Sequence, residues 1–296
     1  MSTDPLLRLA LNGNTMGTRY SVIAYAEPTM DVQALGRELH EAVSEVDAVM
    51  SNWKPDSDIS RLNNVLVDQW IELPESLIHV LETALAIEAQ SNGSFDIGLG
   101  EAVGRWGFGP LADKAPAFVG PRPITRQTLE LDRRGQRARK HGPLSLDLSG
   151  IAKGYGVDRL GDVLKDAGLS HWLASIDGEL RAGGPKADGT PWAVGLERPL
   201  AGKRELSGVI ELREMAVATS GTYRQCRDVG GQLISHLIDP STGAPVKSKH
   251  ISVTVLAPTC MEADAWATAI LVDGVWPPKG FAAPSGIDAI VLHEAE

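Results

Sequence analysis

The sequence predicts a protein of the α+β class, with two packed lobes of mixed β-sheet and helix. Two helical patterns occur early in the chain. One follows an opening strand and runs from Pro28 to Met50, and the other runs from Pro74 to Gly93. Beyond residue 170, short alternating runs typical of strands accumulate, interrupted by one long helical pattern from about Met261. The C-terminal half is therefore rich in strands and carries a single long helix, as expected for the α+β class.

The chain of 296 residues is long enough to form one elaborate domain, and we expect residues 1–296 to act as a single unit. Residues 112–123 are rich in proline and alanine. Such a connector predicts either a boundary between the two lobes or an insertion on the surface.

Composition excludes several classes of protein. The formal charge of −10 argues against a protein that grips nucleic acid over a broad surface, because that function requires a basic footprint. No stretch is long and apolar enough to predict a membrane span, and the N-terminus lacks the pattern of a signal peptide. Cys226 and Cys260 lie far apart and form no zinc or disulfide pattern, so both are expected to be free, buried thiols in a reducing compartment.

The stretch from Ile251 to Leu271 carries the most informative pair of side chains. An alternating strand runs into a helix in which Asp264 and Thr268 are four residues apart and share one face. A buried carboxylate needs a partner, which could be an arginine, a lysine or a hard divalent cation such as Mg²⁺. The alternative is structural, with a hydrogen-bonded Asp264 beside a threonine that bonds back to the helix backbone.

A second candidate lies in LDLSGIAKGYGVDR. The pattern predicts a strand at residues 144–150 (LSLDLSG) that ends near Asp147 and turns at Gly150, with Lys153 in the first turn of the following helix. Backbone amides at a helix N-terminus attract phosphate, and a lysine there adds positive charge. The spacing matches neither a P-loop nor a Rossmann fingerprint, and a tight turn with a solvated lysine is the structural alternative.

The segment SHLIDPSTGAPV contains His236 immediately before a turn. A histidine titrates near neutral pH and could act as a general base, although a lone histidine is more often structural. Motifs of the familiar serine hydrolases and zinc proteases do not occur, so those classes lack support.

Seven segments in this order resemble the FAD:protein FMN transferase family, also called ApbE. They are MGTRYSV at 16–22, SNWKPDSDISRLN at 51–63, GSFDIGLGEAVGRWGFG at 93–109, LDLSGIAKGYGVDRL at 146–160, AVATSGTYRQ at 216–225, SHLIDPSTGAPV at 235–246, and VTVLAP with EADAWATAILV within 253–272. The resemblance covers residues 16–291. It implies an ApbE-like α+β fold with the flavin site in the cleft between the lobes.

The resemblance also implies a reaction and its residues. In that family the enzyme binds FAD, uses Mg²⁺, and transfers FMN to a Thr or Ser hydroxyl of a client flavoprotein with release of AMP. The implied metal ligands are Asp264, Thr268 and the main-chain carbonyl of Gly150. His236 is the candidate base, and Asp264 and Lys153 are the other candidate catalytic residues. The implied FAD contacts are Met16, Trp53, Ser94, Phe95, Asp96, Asp147, Lys153 and Ile238.

Two segments depart from the family pattern. SIDGELRAGG replaces an Asn-x-Gly-Gly segment and adds Asp177 and Glu179, and SGTYRQ has Thr222 where an acidic residue is usual. Both departures put cofactor affinity and client choice in doubt more than the fold. Two other functions stay open. The same residues would serve a Mg²⁺-dependent FAD pyrophosphatase giving FMN and AMP, whereas a carrier that holds FAD without turnover would leave Asp264 and Thr268 without a purpose. Without the signal and lipid-bearing cysteine of many relatives, the chain as given is expected to be cytoplasmic, or periplasmic if its N-terminus was trimmed.

Overall fold

The computed structural model of the protein describes residues 6–112, 124–197, 205–222, 226–229, 232–246, 250–277 and 283–293. Its helices are α1 (Val32–Met50), α2 (Asp58–Asn64), α3 (Glu75–Gln90), α4 (Gly100–Arg105), α5 (Thr125–Thr128), α6 (Ala152–Asp166) and α7 (Cys260–Asp273). Its strands are β1 (Leu7–Thr15), β2 (Thr18–Ala26), β3 (Ile71–Glu72), β4 (Leu129–Asp132), β5 (Arg137–Lys140), β6 (Trp172–Ile176), β7 (Glu179–Gly183), β8 (Trp192–Glu197), β9 (Leu206–Leu212), β10 (Ala216–Gly221), β11 (Cys226–Val229), β12 (Gln232–Ser235), β13 (Ile238–Asp239), β14 (Ala244–Pro245), β15 (His250–Ala257) and β16 (Asp288–His293).

Among these residues, the main sheet has seven strands in the order β1-β2-β6-β7-β10-β15-β16, and every neighbouring pair is antiparallel. Alternation along β2 and β6 directs Tyr20, Val22, Trp172 and Ala174 to one face, where they are buried. Helices α1 and α6 contact each other and pack on this face, and α7 packs on β10 and β15. The β8–β9 hairpin contributes Trp192 and Leu212 to a small apolar cluster with residues of β2, β6, β7 and β10.

Local sequence signals explain where the long helices begin and end. The Asp31 side chain accepts hydrogen bonds from two backbone amides at the start of α1, and the Thr259 hydroxyl accepts one from the Glu262 amide at the start of α7. Gly274 ends α7 in the left-handed conformation, with φ of 72°. Such caps satisfy amides and carbonyls that a helix leaves free at its ends.

Two large apolar cores meet at α6 and α7. One is built from α1, β2, β6 and α6 and includes Leu39, Trp172 and Leu160. The other gathers α2, α3, the β3-β5-β4 sheet and the inner side of α7, including Leu81 and Trp266. Both α6 and α7 contribute side chains to each core. The α+β class predicted from the sequence is therefore confirmed, whereas residues 113–123 of the proposed lobe boundary lie outside the described residues.

The strand predicted at residues 144–150 is wrong. This segment is extended, but it joins no sheet, because other groups occupy its backbone. The Asn63 side chain bonds both the amide and the carbonyl of Leu146, at 2.7 and 2.9 Å, and the Asp147 amide donates to the carbonyl of Ile97. A side-chain amide thus takes the place of a neighbouring strand, which an alternating sequence cannot reveal.

In the part of the chain that the structure describes, no helix combines the length and the hydropathy needed to cross a membrane.

Candidate functional site

The close contact between α6 and α7 sets the geometry of the candidate site. The amide of Gly154 donates to Oδ2 of Asp264 at 3.0 Å, and Asp264 is only 4% exposed. A Cβ atom on Gly154 would lie 2.3 Å from the carbonyl oxygen of Cys260 and 2.8 Å from Cβ of Asp264. Only glycine allows the two helices to approach this closely, and that approach brings the Asp264 carboxylate to the first turn of α6.

Asp158 fixes the start of α7 from outside that helix. Its two carboxylate oxygens accept hydrogen bonds from the amides of Cys260 and Met261, each at 2.9 Å, and Arg181 donates to the same carboxylate at 2.6 Å. A carboxylate at a helix N-terminus is favoured by the helix dipole. Asp158 was not among the predicted site residues, since its only signal in the sequence is an acidic residue in the middle of an apolar helical stripe.

Lys153 lies among three carboxylates. Its ammonium donates to Glu179 at 2.8 Å and lies 3.7 Å from the Asp177 carboxylate, while Asp264 adds a longer-range attraction. Burial alone would lower the pKa of Lys153, but the Glu179, Asp264 and Asp177 charges outweigh it and hold the pKa above its usual value. The cluster therefore has more negative than positive charge.

Asp264 is the most perturbed member of this cluster. Burial, and then the nearby Glu179 carboxylate, raise the pKa of Asp264 to about 7, against the lowering effects of Lys153 and the Gly154 amide. Among the described residues, the attraction of Lys153 and the Gly154 hydrogen bond do not fully offset the cost of burying this carboxylate.

Gly150 and Thr268 lie side by side, as the sequence predicted. A Cβ on Gly150 would be 3.3 Å from the Thr268 hydroxyl and 3.4 Å from the Phe95 ring. Thr268 lies on α7 one turn after Asp264, is partly exposed, and its hydroxyl is 3.3 Å from that of Ser220. The three predicted metal-ligand residues therefore stand along one side of α7 and at the turn that precedes α6.

Met16 reaches the same end of α6 from the β1–β2 turn. Met16 and Gly17 form this two-residue turn with φ of 47° and 71°. The methyl group of Met16 approaches Gly156, where a Cβ would be 2.9 Å away. An open, largely polar hollow of about 650 Å³ adjoins this turn and is lined by Met16, Arg19, His40, Asp47 and Lys54 among others.

The segment from Ser94 to Asp96 follows α3 and is fixed by the burial of Phe95 and by hydrogen bonds to Asp96. Phe95 is buried, and Oδ1 of Asp96 accepts hydrogen bonds from the Gly98 amide at 2.7 Å and from the Thr125 hydroxyl at 2.6 Å. Burial, and then the Asp96 charge, raise the pKa of the neighbouring Glu88 to about 7, although Arg126 opposes this. Oδ1 of Asp96 is thus engaged in hydrogen bonds within the protein itself.

A hydrogen bond to Leu146 links the loop that carries Trp53 to the segment that carries Asp147. The side-chain amide of Asn52 donates to the Leu146 carbonyl at 3.2 Å, which ties the loop carrying Trp53 to the segment carrying Asp147. Trp53 is 71% exposed, and Oδ1 of Asp147 accepts from the Ser149 amide at 2.8 Å. An indole this exposed contributes little to the core, so its large apolar face is available to a ligand.

His236 and Ile238 belong to a neighbouring segment. Ile238 is buried in β13, and the His236 ring packs edge-on against Phe108 with ring centroids 6.3 Å apart. Trp106 donates to the Gly243 carbonyl at 2.9 Å, which joins this segment to the glycine-rich one. The roles of His236 as a base and of Ile238 as a flavin contact remain predictions.

A metal centre with three or more His, Cys, Asp or Glu ligands is not found within the described ranges. The predicted set is of another kind, since it has one carboxylate, one hydroxyl and one carbonyl. Such oxygen ligands suit Mg²⁺, which keeps several waters and often bridges substrate phosphates.

Fold and site together define a protein with an α+β scaffold and a partly buried, oxygen-lined site at the start of a helix, suited to a phosphate-bearing ligand. The model of the ApbE family matches residues 16–291, and the chain therefore belongs to this family.

Proteins similar to this chain include two named FAD:protein FMN transferase. One, from Vibrio cholerae, is 35% identical over 91% of this chain and 83% of its own length. The other, from Haemophilus influenzae, is 36% identical over 90% of this chain and 81% of its own. The solved structure of the flavin transferase ApbE from Vibrio cholerae is 32% identical, covers 99% of this chain and 95% of its own, and has a TM-score of 0.85.

Proposed function

We propose that this protein transfers the FMN moiety of FAD to a Thr or Ser hydroxyl of a client flavoprotein and releases AMP. The observation that carries the proposal is the convergence of Lys153, Asp264, Thr268 and Gly150 on one end of α6. One ammonium and three oxygen-bearing metal ligands in this arrangement would suit a pyrophosphate that binds together with Mg²⁺. The relatives named FAD:protein FMN transferase support the same reaction.

The residues present fit Mg²⁺. Asp264, Thr268 and the carbonyl of Gly150 would hold it, and the excess of carboxylates around Lys153 is a charge that a divalent cation offsets. A buried oxygen of Glu179, Oε2, has no hydrogen-bond partner in this cluster, which further indicates unbalanced negative charge. When bound, Mg²⁺ supplies charge neutralisation on the pyrophosphate oxygens.

The protein's own groups have separate tasks in this proposal. Lys153 neutralises a phosphate oxygen, and the exposed Trp53 offers a flat surface to a ring of FAD. Phe95 is 3% exposed and belongs to the core, so its burial argues against the ring contact expected from the resemblance. The client oxygen forms a bond to the phosphorus on the FMN side, while the bond from that phosphorus to the oxygen shared with AMP breaks. His236 accepts the hydroxyl proton, and AMP leaves with the bridging oxygen.

Mass spectrometry tests this function directly. Full-length protein is incubated with FAD and a flavoprotein fragment that carries an acceptor threonine, with and without Mg²⁺. We expect a fragment that gains the mass of FMN minus water, together with AMP, only when Mg²⁺ is present. Free FMN and AMP without an adduct would indicate the pyrophosphatase instead, and intact bound FAD would indicate the carrier.

Replacement of Trp53 by alanine tests the stacking role. Because Trp53 is 71% exposed, we expect an unchanged melting temperature, whereas FAD affinity falls about tenfold through lost ring contact. Titration of FAD by fluorescence or calorimetry measures this change. Trp70→Ala is the matched control, since Trp70 lies between Arg137 and Arg139, at 4.5 and 4.6 Å, and is assigned no flavin contact. Equal FAD affinity in wild type and Trp53→Ala would remove Trp53 from the site.

A further inference from the structure

Lys153 lies near several carboxylates, and the structure shows which of them forms its shortest ion pair. Its ammonium is paired with Glu179 at 2.8 Å, although Asp264 also attracts it and is bonded by the very next residue, Gly154. Asp264 is left with a backbone amide as a hydrogen-bond donor and with a raised pKa. Burial alone does not decide this pairing, because Glu179 and Asp264 are equally buried, each 4% exposed.

Glu179 is placed rigidly enough to decide this pairing. It is the first residue of β7 and follows the two-residue turn of Asp177 and Gly178, and its side chain is 5% exposed. One oxygen, Oε1, accepts from Lys153, while the other, Oε2, is buried and has no hydrogen-bond partner among the described residues. A fixed strand position and near-complete burial leave Glu179 few alternative conformations, so its carboxylate stays beside Lys153.

We infer that Glu179 is a positioning residue that holds the Lys153 ammonium away from Asp264, so that the Asp264 carboxylate is left for a divalent cation. This inference rests on the proposed function, because it assumes that Asp264 is a metal ligand. Without the Glu179 charge, the Lys153 ammonium would pair with Asp177 or with Asp264. Asp177 is 46% exposed and already 3.7 Å away, whereas Asp264 is buried, where attraction between charges is less screened.

The consequence is competition between a lysine and a metal ion for one carboxylate. An ammonium paired with Asp264 would occupy the position where a cation binds and would have to be displaced first. Glu179 also attracts a cation through its own charge, so the two effects must be separated. The structure offers a way to do so, since Asp177 has the same charge near Lys153 but is more exposed and lies farther away.

The test is Mn²⁺ binding to the full chain without FAD, measured by electron paramagnetic resonance of free Mn²⁺. We expect Glu179→Gln to weaken binding about tenfold, and Asp177→Asn by less than about threefold, because neighbouring charges couple strongly and exposed ones weakly. In the Lys153→Met background, the same Glu179→Gln change should cost less than about threefold, since no ammonium remains to take its place. Glu179→Leu, which cannot accept a hydrogen bond, should repeat the loss if the glutamine variant folds poorly.

Three outcomes would overturn the inference. Equal Mn²⁺ affinity of wild type and both Glu179 variants would show that the pairing has no influence on the metal. An equal loss with and without Lys153 would show that Glu179 acts only through its charge. Failure of the wild-type chain to bind Mn²⁺ would instead refute the proposed metal site itself, which distinguishes the two failures.

Discussion

An Asp264→Asn variant is expected to lose Mg²⁺-dependent FMN transfer by at least about 10³-fold, because the metal's stabilisation of the transition state is worth several kcal/mol. Asparagine can still accept the hydrogen bond that the Gly154 amide donates to Oδ2 at 3.0 Å. Asparagine also replaces a buried carboxyl group whose pKa is raised to about 7. Because burying that charge is unfavourable, its loss should not weaken the fold. The measurement is the initial rate of adduct formation, with FAD affinity recorded beside it.

Glu262→Gln is the matched control for this variant. Glu262 also lies on α7, but its carboxylate accepts from the Thr259 hydroxyl at the start of the helix, away from the Lys153 cluster. The control should retain transfer within about threefold, because a half-buried charge that caps the helix contributes little to the site. FAD binding should persist in Asp264→Asn, since the ring contacts are unchanged. Transfer at the wild-type rate with normal Mg²⁺ dependence would exclude Asp264 as a metal ligand.

The sequence anticipated those features of the site that depend on local spacing. Asp264 and Thr268 share a helix face because they are four residues apart, and Lys153 follows directly from the glycine turn before α6. The α+β class followed similarly from the periodicity of the segments. What could be read in this way was short-range, since helical spacing is a property of the chain itself.

Contacts between distant segments could not be read from spacing. Asp158 bonds the amides of Cys260 and Met261 more than 100 residues later, and no periodic pattern records that meeting. The predicted strand at 144–150 failed for the same reason, because its hydrogen-bond partner is the side chain of Asn63. From the sequence, Glu179 could be recognised only as an added negative charge near the expected flavin site. Its pairing with Lys153 depends on how β7 packs against α6.

The second large effect concerns the contact between α6 and α7. In a Gly154→Ala variant, the free energy of unfolding is expected to fall by about 3 kcal/mol, which lies in the upper part of the range for overpacked cores. The new methyl group would lie 2.3 Å from the Cys260 carbonyl oxygen and 2.7 Å from its carbon, and backbone atoms cannot move aside as a side chain could. The helices must therefore separate, which also displaces the Asp264 carboxylate from the Gly154 amide. Chemical denaturation measures the stability, and Mn²⁺ binding reports the displacement.

Gly36→Ala provides the opposite expectation from the same substitution. Gly36 lies within α1, and a Cβ there would meet only a methyl group of Leu11, at 3.9 Å. Alanine restricts the unfolded chain and favours helix, so this variant should be more stable than wild type by up to about 1 kcal/mol. If Gly154→Ala also made the protein more stable, helix propensity would outweigh packing at Gly154. The contact between α6 and α7 would then be loose enough to accept a methyl group, and Gly154 could not be what sets the position of Asp264.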